Sequence, residues 1–511
     1  MVVLGGLLKT KRPYYLLLVV FFLALILRFV YFPENVYFAS DQARDAYFSY
    51  EVIRGDFRVV GPGATFGRYL HHGVLYYYIM GPVYYLFRGN PYVPALIINL
   101  LSAVGVFVVF MVGKNIFNTK TALIAAFLYA VSFEQSQYAL FFSHPGLALI
   151  FVLLYYLGLT ELIFKGNSKG IILSAFCAGV ATQLHVSLSV LIFMIPVFVL
   201  VFRSKIIQLK KKDIFLALMV LIVSLSSFLV AEVKFGHLKS FIASLSEPGS
   251  SSFGLFINNF MFAVNRYVTD NLISFSSRPA FNILLVIAVY LLLIKRVKER
   301  TVGIFLLMWF LVACVAYLVG SSTTYYYGIG GSVSLLLAVS MVISLIWEKK
   351  VIVALILLVV IMGSNVSKII TINEKGPIGS IMAPPGLLLS DELRAIDYIY
   401  TQAGEEEFSI HAITIPYNVK TTWDYLFNWY GMQKYGLVPV WGGEDALGSE
   451  GTLKVVRARS TLPAKQFLII EPLAGLSDDV VENFFREESY FTNLKTEKEF
   501  GEITVQIREK Y

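Results

Sequence analysis

The chain reads as a polytopic α-helical membrane protein of about eleven transmembrane helices, followed by a C-terminal α/β domain outside the membrane. Three observations support this. Of 511 residues, 57% are hydrophobic and only 15% charged, far from a soluble average. Apolar runs long enough to cross a bilayer of roughly 30 Å recur through residues 1–366. Beyond residue 367 those runs shorten and acidic residues appear.

The spans are placed near residues 14–31, 92–112, 120–137, 144–164, 170–186, 187–202, 213–231, 281–294, 302–320, 328–347 and 350–366. The first follows Lys9, Lys11 and Arg12 and has no small-residue cleavage site, so it reads as an uncleaved span. Lys and Arg then collect in every second loop: Lys114/Lys120, Lys165/Lys169, Arg203 to Lys212, Lys295 to Arg300, and Lys349/Lys350. By the positive-inside rule these loops and the N-terminus are cytoplasmic, and residues 367–511 are extracytoplasmic, at the cell membrane. The segment Val74–Phe87 is short and broken by Gly81-Pro82. If it crossed, every later basic loop would change sides. It is read as a helix in the outer interface, its tyrosines at headgroup level, which makes residues 32–91 one large external loop. The tail reads as helix 390–403, strand 407–414, helix 421–435, strand 466–471, helix 477–487 and strand 501–508.

The formal charge of +8 does not imply nucleic acid, because the basic residues sit in short loops and act as topology determinants. Cys177 and Cys314 lie in different spans and imply no disulfide.

Polar groups crowd the external loops. Asp41, Arg44 and Asp45 follow the first span, and Arg68, His71 and His72 precede the interfacial helix. Glu134, His144, Gln183 and His185 lie at outer span ends, and Tyr325 and Tyr326 lie in a short outer loop. Ionisable groups at membrane depth mark functional sites. Group transfer outside the cytoplasm needs a donor delivered in the membrane, and a sugar on a polyprenyl phosphate fits. The reaction needs a carboxylate base, cations around the leaving phosphate and an apolar groove for the prenyl tail. Asp41 is the expected base, with Asp45 supporting. Arg44, Arg68, His71 and His72 are the expected phosphate contacts. Glu134, His144, Gln183, His185, Tyr325 and Tyr326 are possible cleft residues.

Each has a plainer reading. Asp41 is also a good cap for the following helix. Asp45 can pair with Arg44 or Arg54, Gln183 can bond between helices, and the tyrosines can form an aromatic belt. A divalent metal held by His71, His72 and a carboxylate is conceivable. Adjacent helical histidines, however, point about 100° apart, from the 3.6-residue turn. No other cofactor is expected.

The stretch from Ser40 to Pro82, with its acid after the first span, Gly-x-Leu-Tyr-Tyr-Tyr run and Gly-Pro turn, resembles the first external loop of the GT-C glycosyltransferases of the glycosyltransferase 39 type. These include protein O-mannosyltransferases and lipid A aminoarabinose transferases. Gln183 and His185 add to the resemblance. It implies a lipid-linked sugar donor, inversion and a first-loop base, at whose place Asp41 stands. Relatives with Asp-Glu there differ from Asp41-Gln42. Those with Lys-Pro before the interfacial helix differ from His71-His72-Gly73, and those opening the fourth span with Asp-Pro differ from His144-Pro145. The departures argue against carrying over a mannose or aminoarabinose substrate. Trp423-Asp424-Tyr425 is similar to part of an oligosaccharyltransferase motif, but it also fits an amphipathic helix burying Trp423, Leu426, Phe427 and Tyr430. An oligosaccharide-transferring ligase or oligosaccharyltransferase relative is the rival enzyme. A non-enzymatic lipid or sugar transporter is the rival of another class, disfavoured because the ionisable groups gather at span ends rather than mid-span.

Overall fold

A computed structural model describes residues 2–63, 70–206, 209–236, 253–273, 278–296, 300–319, 325–378, 385–446 and 449–511. The helices are α1 (Val2–Phe29), α2 (Ser40–Ile53), α3 (Leu75–Leu86), α4 (Tyr92–Ile116), α5 (Thr119–Val131), α6 (Phe133–Leu140), α7 (His144–Phe164), α8 (Gly170–Leu184) and α9 (Val190–Val201). They continue as α10 (Lys211–Ser224), α11 (Ser226–Phe235), α12 (Phe253–Thr269), α13 (Pro279–Arg296), α14 (Arg300–Val319), α15 (Gly331–Lys349) and α16 (Val351–Ile372).

Each of the eleven apolar segments overlaps a helix or, at 120–137 and 213–231, a pair of helices. Among the described residues four helices, α4, α7, α15 and α16 with its extension to Lys375, are long and apolar enough to cross a membrane. A fifth joins them if α10 and α11, bent by 57°, form one span. The remaining segments are shorter apolar helices. The last helix, expected to end at 366, runs on to Ile372.

A buried arginine shows how the bundle accommodates charge. Arg28 of α1 is 2% exposed and donates to the carbonyls of Ala130 at 2.8 Å and Tyr129 at 3.2 Å. These lie in the last turn of α5, where carbonyls lack intrahelical partners and the helix dipole is negative.

Between α1 and α4, α2 and α3 pack side by side. Gly81 lets them approach: a Cβ there would stand 2.9 Å from Ile53 Cγ1 and 2.9 Å from the Ser49 carbonyl. The aromatic stretch is a separate helix as expected, but its tyrosines divide. Tyr76, Tyr77 and Tyr84 are fully buried, and Tyr85 is 63% exposed. The buried three lie on the face turned to α2, so they serve packing rather than a headgroup belt.

The tail folds as a six-stranded sheet, order β3-β2-β1-β4-β6-β5, with β1 (Phe408–Ile413), β2 (Val440–Gly442), β3 (Val455–Val456), β4 (Lys465–Ile470), β5 (Thr492–Phe500) and β6 (Ile503–Lys510). The first four strands in that order pair parallel, and β6 and β5 add antiparallel. Its helices are α17 (Leu389–Ala403), α18 (Thr421–Leu426), α19 (Met432–Tyr435) and α20 (Asp478–Phe491), with a π turn joining α18 to α19. Trp423, Leu426 and Phe427 are buried, and Tyr430 is half-buried.

The tail is tied to the first loop. The Leu389 N–H donates to the Val36 carbonyl at 2.8 Å. The Tyr47 hydroxyl of α2 donates to Asp424 at 2.6 Å, and the Tyr425 hydroxyl donates to the Gly89 carbonyl at 2.6 Å. Asp424 also accepts from the Thr452 and Leu453 amides at 2.9 and 2.8 Å. This buried carboxylate is a docking point between the tail and α2.

Gly81→Val forces α2 and α3 apart. It is expected to cost about 1–3 kcal/mol, the usual range for overpacking, read as a lowered unfolding midpoint of the detergent-solubilised protein. An unchanged midpoint would show that the close approach is not needed.

Candidate functional site

The site begins with the capping of α2. Ala39 is the N-cap residue, in extended conformation, and its amide donates to Gln42 Oε1 at 3.1 Å. Gln42 therefore supplies the side-chain cap, and Asp41 does not. Asp41 stands in the first turn with its side chain 55% exposed, where the helix dipole favours an anion.

One turn on, Asp45 is 1% exposed. Arg44 bridges the two acids, with Nη1 donating to Asp41 at 2.6 Å and Nη2 to Asp45 at 2.9 Å. The two acids shared a helix face in the sequence, but only Asp45 reaches protein. Its carboxylate also accepts from Ser143 Oγ at 3.0 Å and Tyr77 OH at 3.4 Å, and His144 Nε2 lies 3.4 Å away. Side chains from α2, α3 and the start of α7 thus converge on one carboxylate. Burial alone would raise its pKa, but the charge of Arg44 and then His144, with their hydrogen bonds, outweighs it and holds the carboxyl at about 2. Asp45 stays ionised at neutral pH and is closed to solvent. Asp45 is placed to hold Arg44, Tyr77 and the start of α7 together.

His144 opens α7, with Pro145 next, where its missing N–H costs nothing. The imidazole stacks on Tyr76, ring centroids 4.5 Å apart and planes 14° apart, and meets Tyr77 edge-on at 5.2 Å. These two tyrosines, read from sequence as interfacial, frame the histidine.

His71 and His72 lie on an extended stretch. His71 bridges Gly63, and the His72 amide donates to the Pro62 carbonyl at 2.9 Å. Successive side chains of extended chain point to opposite sides, and it is His72 whose ring meets His185 at 4.7 Å and His144 at 6.1 Å between centroids. Burial first, then the charges of His185, His144, Arg44 and His71, push the His72 pKa well below its ordinary value. His185 ends α8, and its Nδ1 lies 2.6 Å from Ser187 Oγ.

Beside the histidines lies an apolar cavity of about 570 Å³, bounded by α3, α7, α8 and the bent α10–α11 pair. Leu75, Ile79, Phe151, Phe176, Val180 and Val230 line it, and Arg58 and Gln183 are polar groups on its wall. Gln183 shapes this wall. Its Nε2 donates to the Ser224 carbonyl at 3.0 Å, at the helix break, and to Ser227 Oγ at 2.7 Å. Its Oε1 accepts from the Val74 amide at 3.2 Å. Gly73 permits this approach, because a Cβ there would fall 2.0 Å from Gln183 Oε1. Arg58, which sequence reasoning missed, donates to Glu51 at 2.6 and 2.9 Å and lies 3.6 Å over the Phe48 ring.

The remaining sequence candidates separate from this cluster. Glu134 is buried on α6 and accepts from Asn271 and, at 3.5 Å, from Tyr138 OH. Its hydrogen bonds come from an amide and a hydroxyl, and the charge of Arg266 acts on it as well. Arg68 lies outside the described residues, as do the side chains of Tyr325 and Tyr326. Their neighbour Tyr327 approaches His185 at 5.9 Å. Among the described residues no three His, Cys, Asp or Glu side chains are arranged to hold a metal ion, so the metal considered from sequence has no ligand set here.

Comparison with known proteins was made at three levels. The family model described as dolichyl-phosphate-mannose-protein mannosyltransferase matches residues 71–230. No curated protein matches the chain. Among solved structures, ArnT from Cupriavidus metallidurans in the apo state superposes with a TM-score of 0.51 at 13% identity, covering 96% of this chain and 97% of that one. The apo oligosaccharyltransferase of Archaeoglobus fulgidus superposes with a TM-score of 0.50 at 11% identity, covering 86% of this chain. The present chain spans only 65% of the length of that protein. At these identities the likeness is one of fold.

The two acids of α2 should respond differently to neutralisation. Asp45→Asn leaves Arg44 without its buried partner and is expected to cost about 3–5 kcal/mol. Asp41→Asn, at an exposed pair, is expected to cost under about 1 kcal/mol. Because the folded-state pKa of Asp45 is depressed, its contribution is complete above about pH 4 and is lost as pH falls towards 2. Thermal unfolding in detergent at pH 7 and pH 3 checks both statements, and equal costs for the two variants would contradict them.

Proposed function

With the GT-C glycosyltransferase fold as premise, we propose that this chain is an integral membrane glycosyltransferase that moves a sugar from a polyprenyl-phosphate donor to an extracytoplasmic acceptor, with inversion. One observation carries the reading. The apolar cavity and the ionisable cluster adjoin: Val74 and Gln183 on the cavity wall stand two residues from His72 and His185. From there His144, Asp45 and Arg44 lead in successive contacts to the exposed Asp41. A lipid tail in the cavity would set its phosphate among the histidines. The matched family description supports a prenyl-phosphate sugar as donor class.

Asp41 is the general base, taking the proton of the acceptor hydroxyl as that oxygen attacks the anomeric carbon. The bond from this carbon to the phosphate oxygen breaks, and its electron pair stays on the phosphate. Arg44, held by Asp45, keeps positive charge between the base and the histidines, and His72 meets the phosphate. The first external loop and the tail then face the extracytoplasmic side, as the distribution of basic loops expects.

Asp41→Asn should lower transfer at least about 100-fold, the scale of general base catalysis, while insertion, yield and melting stay close to wild type. Retained transfer would remove Asp41 from the mechanism. Val180→Trp, which intrudes into the cavity, should raise KM for a long-chain donor several-fold and leave kcat nearly unchanged. Steady-state assays with a polyprenyl-phosphate sugar read both, and an unaltered KM would place the lipid elsewhere.

A further inference from the structure

We propose that His72, His144 and His185 form one receptor for the phosphate of the lipid carrier, and that this receptor takes up a proton as the donor phosphodiester becomes a free lipid phosphate. The inference rests on the transferase reading above and adds proton coupling to it.

The charge balance at this mouth calls for it. When the sugar leaves, the carrier phosphate goes from one negative charge towards two, its second pKa being near 6. Among the described residues of this mouth, Arg44 is shared between Asp41 and Asp45, and Arg58 is held by Glu51. Two carboxylates around Arg44 leave that cluster net negative, which is a poor host for a dianion. The histidines are the groups here that can add positive charge. They come from three separate elements, the extended stretch before α3, the start of α7 and the end of α8, yet their rings gather within 4.7 and 6.1 Å of His72.

Imidazoles this close resist double protonation, so uptake of one proton is the natural step. Without phosphate His72 resists protonation. Burial is the main reason, and the charges of His185, His144, Arg44 and His71 add to it. Tyr76 and Tyr77 frame His144, Tyr327 faces His185, and Asp45 lies against His144. The carboxylate of Asp45 already serves Arg44, Ser143 and Tyr77. An incoming dianion raises the proton affinity of the trio. Binding and proton uptake are therefore linked, and affinity rises as pH falls.

Calorimetric titration of the full-length protein in detergent with farnesyl phosphate tests this, run at pH 7.5 in two buffers of different ionisation enthalpy. Uptake of about one proton is expected, with affinity falling up to about tenfold per pH unit above neutrality, the limit for one linked proton. His72→Gln should weaken binding and abolish most of the uptake. His185→Gln supplies a second variant should the first fail to fold, and the wild-type result stands without either. Tight binding with no proton uptake overturns this proposal and leaves the transferase reading intact. No binding of farnesyl phosphate at all overturns both. Inorganic phosphate bound as tightly as farnesyl phosphate would overturn the assignment to a lipid carrier.

Discussion

A single buried negative charge organises the mouth of this protein. Removing a carboxylate from water is costly unless donors replace the lost solvation. Asp45 meets that condition with Arg44 of its own helix, Tyr77 of α3, and Ser143 and His144 at the start of α7. None of these contacts is local in the sense of a helix side-chain pair except the one to Arg44. The carboxylate therefore fixes how α2, α3 and α7 meet, and through His144 it fixes where His72 and His185 must lie. The tyrosines that enclose His144 extend the same constraint into the aromatic core.

The other side of α2 is fixed by the tail. Tyr47, two residues after Asp45, donates to Asp424, which the tail holds buried by its own backbone amides. α2 is thus held on one side by the partners of Asp45 and on the other by Asp424 of the tail. At its first turn Asp41 faces solvent. A helix fixed on both sides and presenting one carboxylate at its first turn has the geometry that the proposed base requires.

The apolar helices were legible because bilayer-length hydrophobicity is a strong signal, and in the tail the long helices and central strands followed from their periodicity. The strands that escaped were those without such a signal. Val440–Gly442 and Val455–Val456 are too short, and Thr492–Phe500 is an exposed edge strand studded with Lys and Glu. At the site, residue types identified the right neighbourhood but not the division of labour. Nothing in the spacing of Asp41 and Asp45 says which one is buried, because that depends on Ser143 and His144, about a hundred positions away. Likewise Gln42 takes the capping task expected of Asp41, and Tyr76 and Tyr77 turn inward where composition alone suggested a headgroup belt.

The separation of the two acids has a mechanistic consequence. A base must be able to accept a proton at working pH and must reach the substrate. Asp45 fails on both counts, since its partners hold it at about 2 and its side chain is closed to solvent. Asp41 meets the second requirement directly. Arg44, with which it pairs, divides its donors between two carboxylates. Asp45 thus draws part of the guanidinium away from Asp41 and keeps that cation at the histidine side of the site. Two acids of the same type, four residues apart, acquire different tasks because one meets a folded protein and the other meets water.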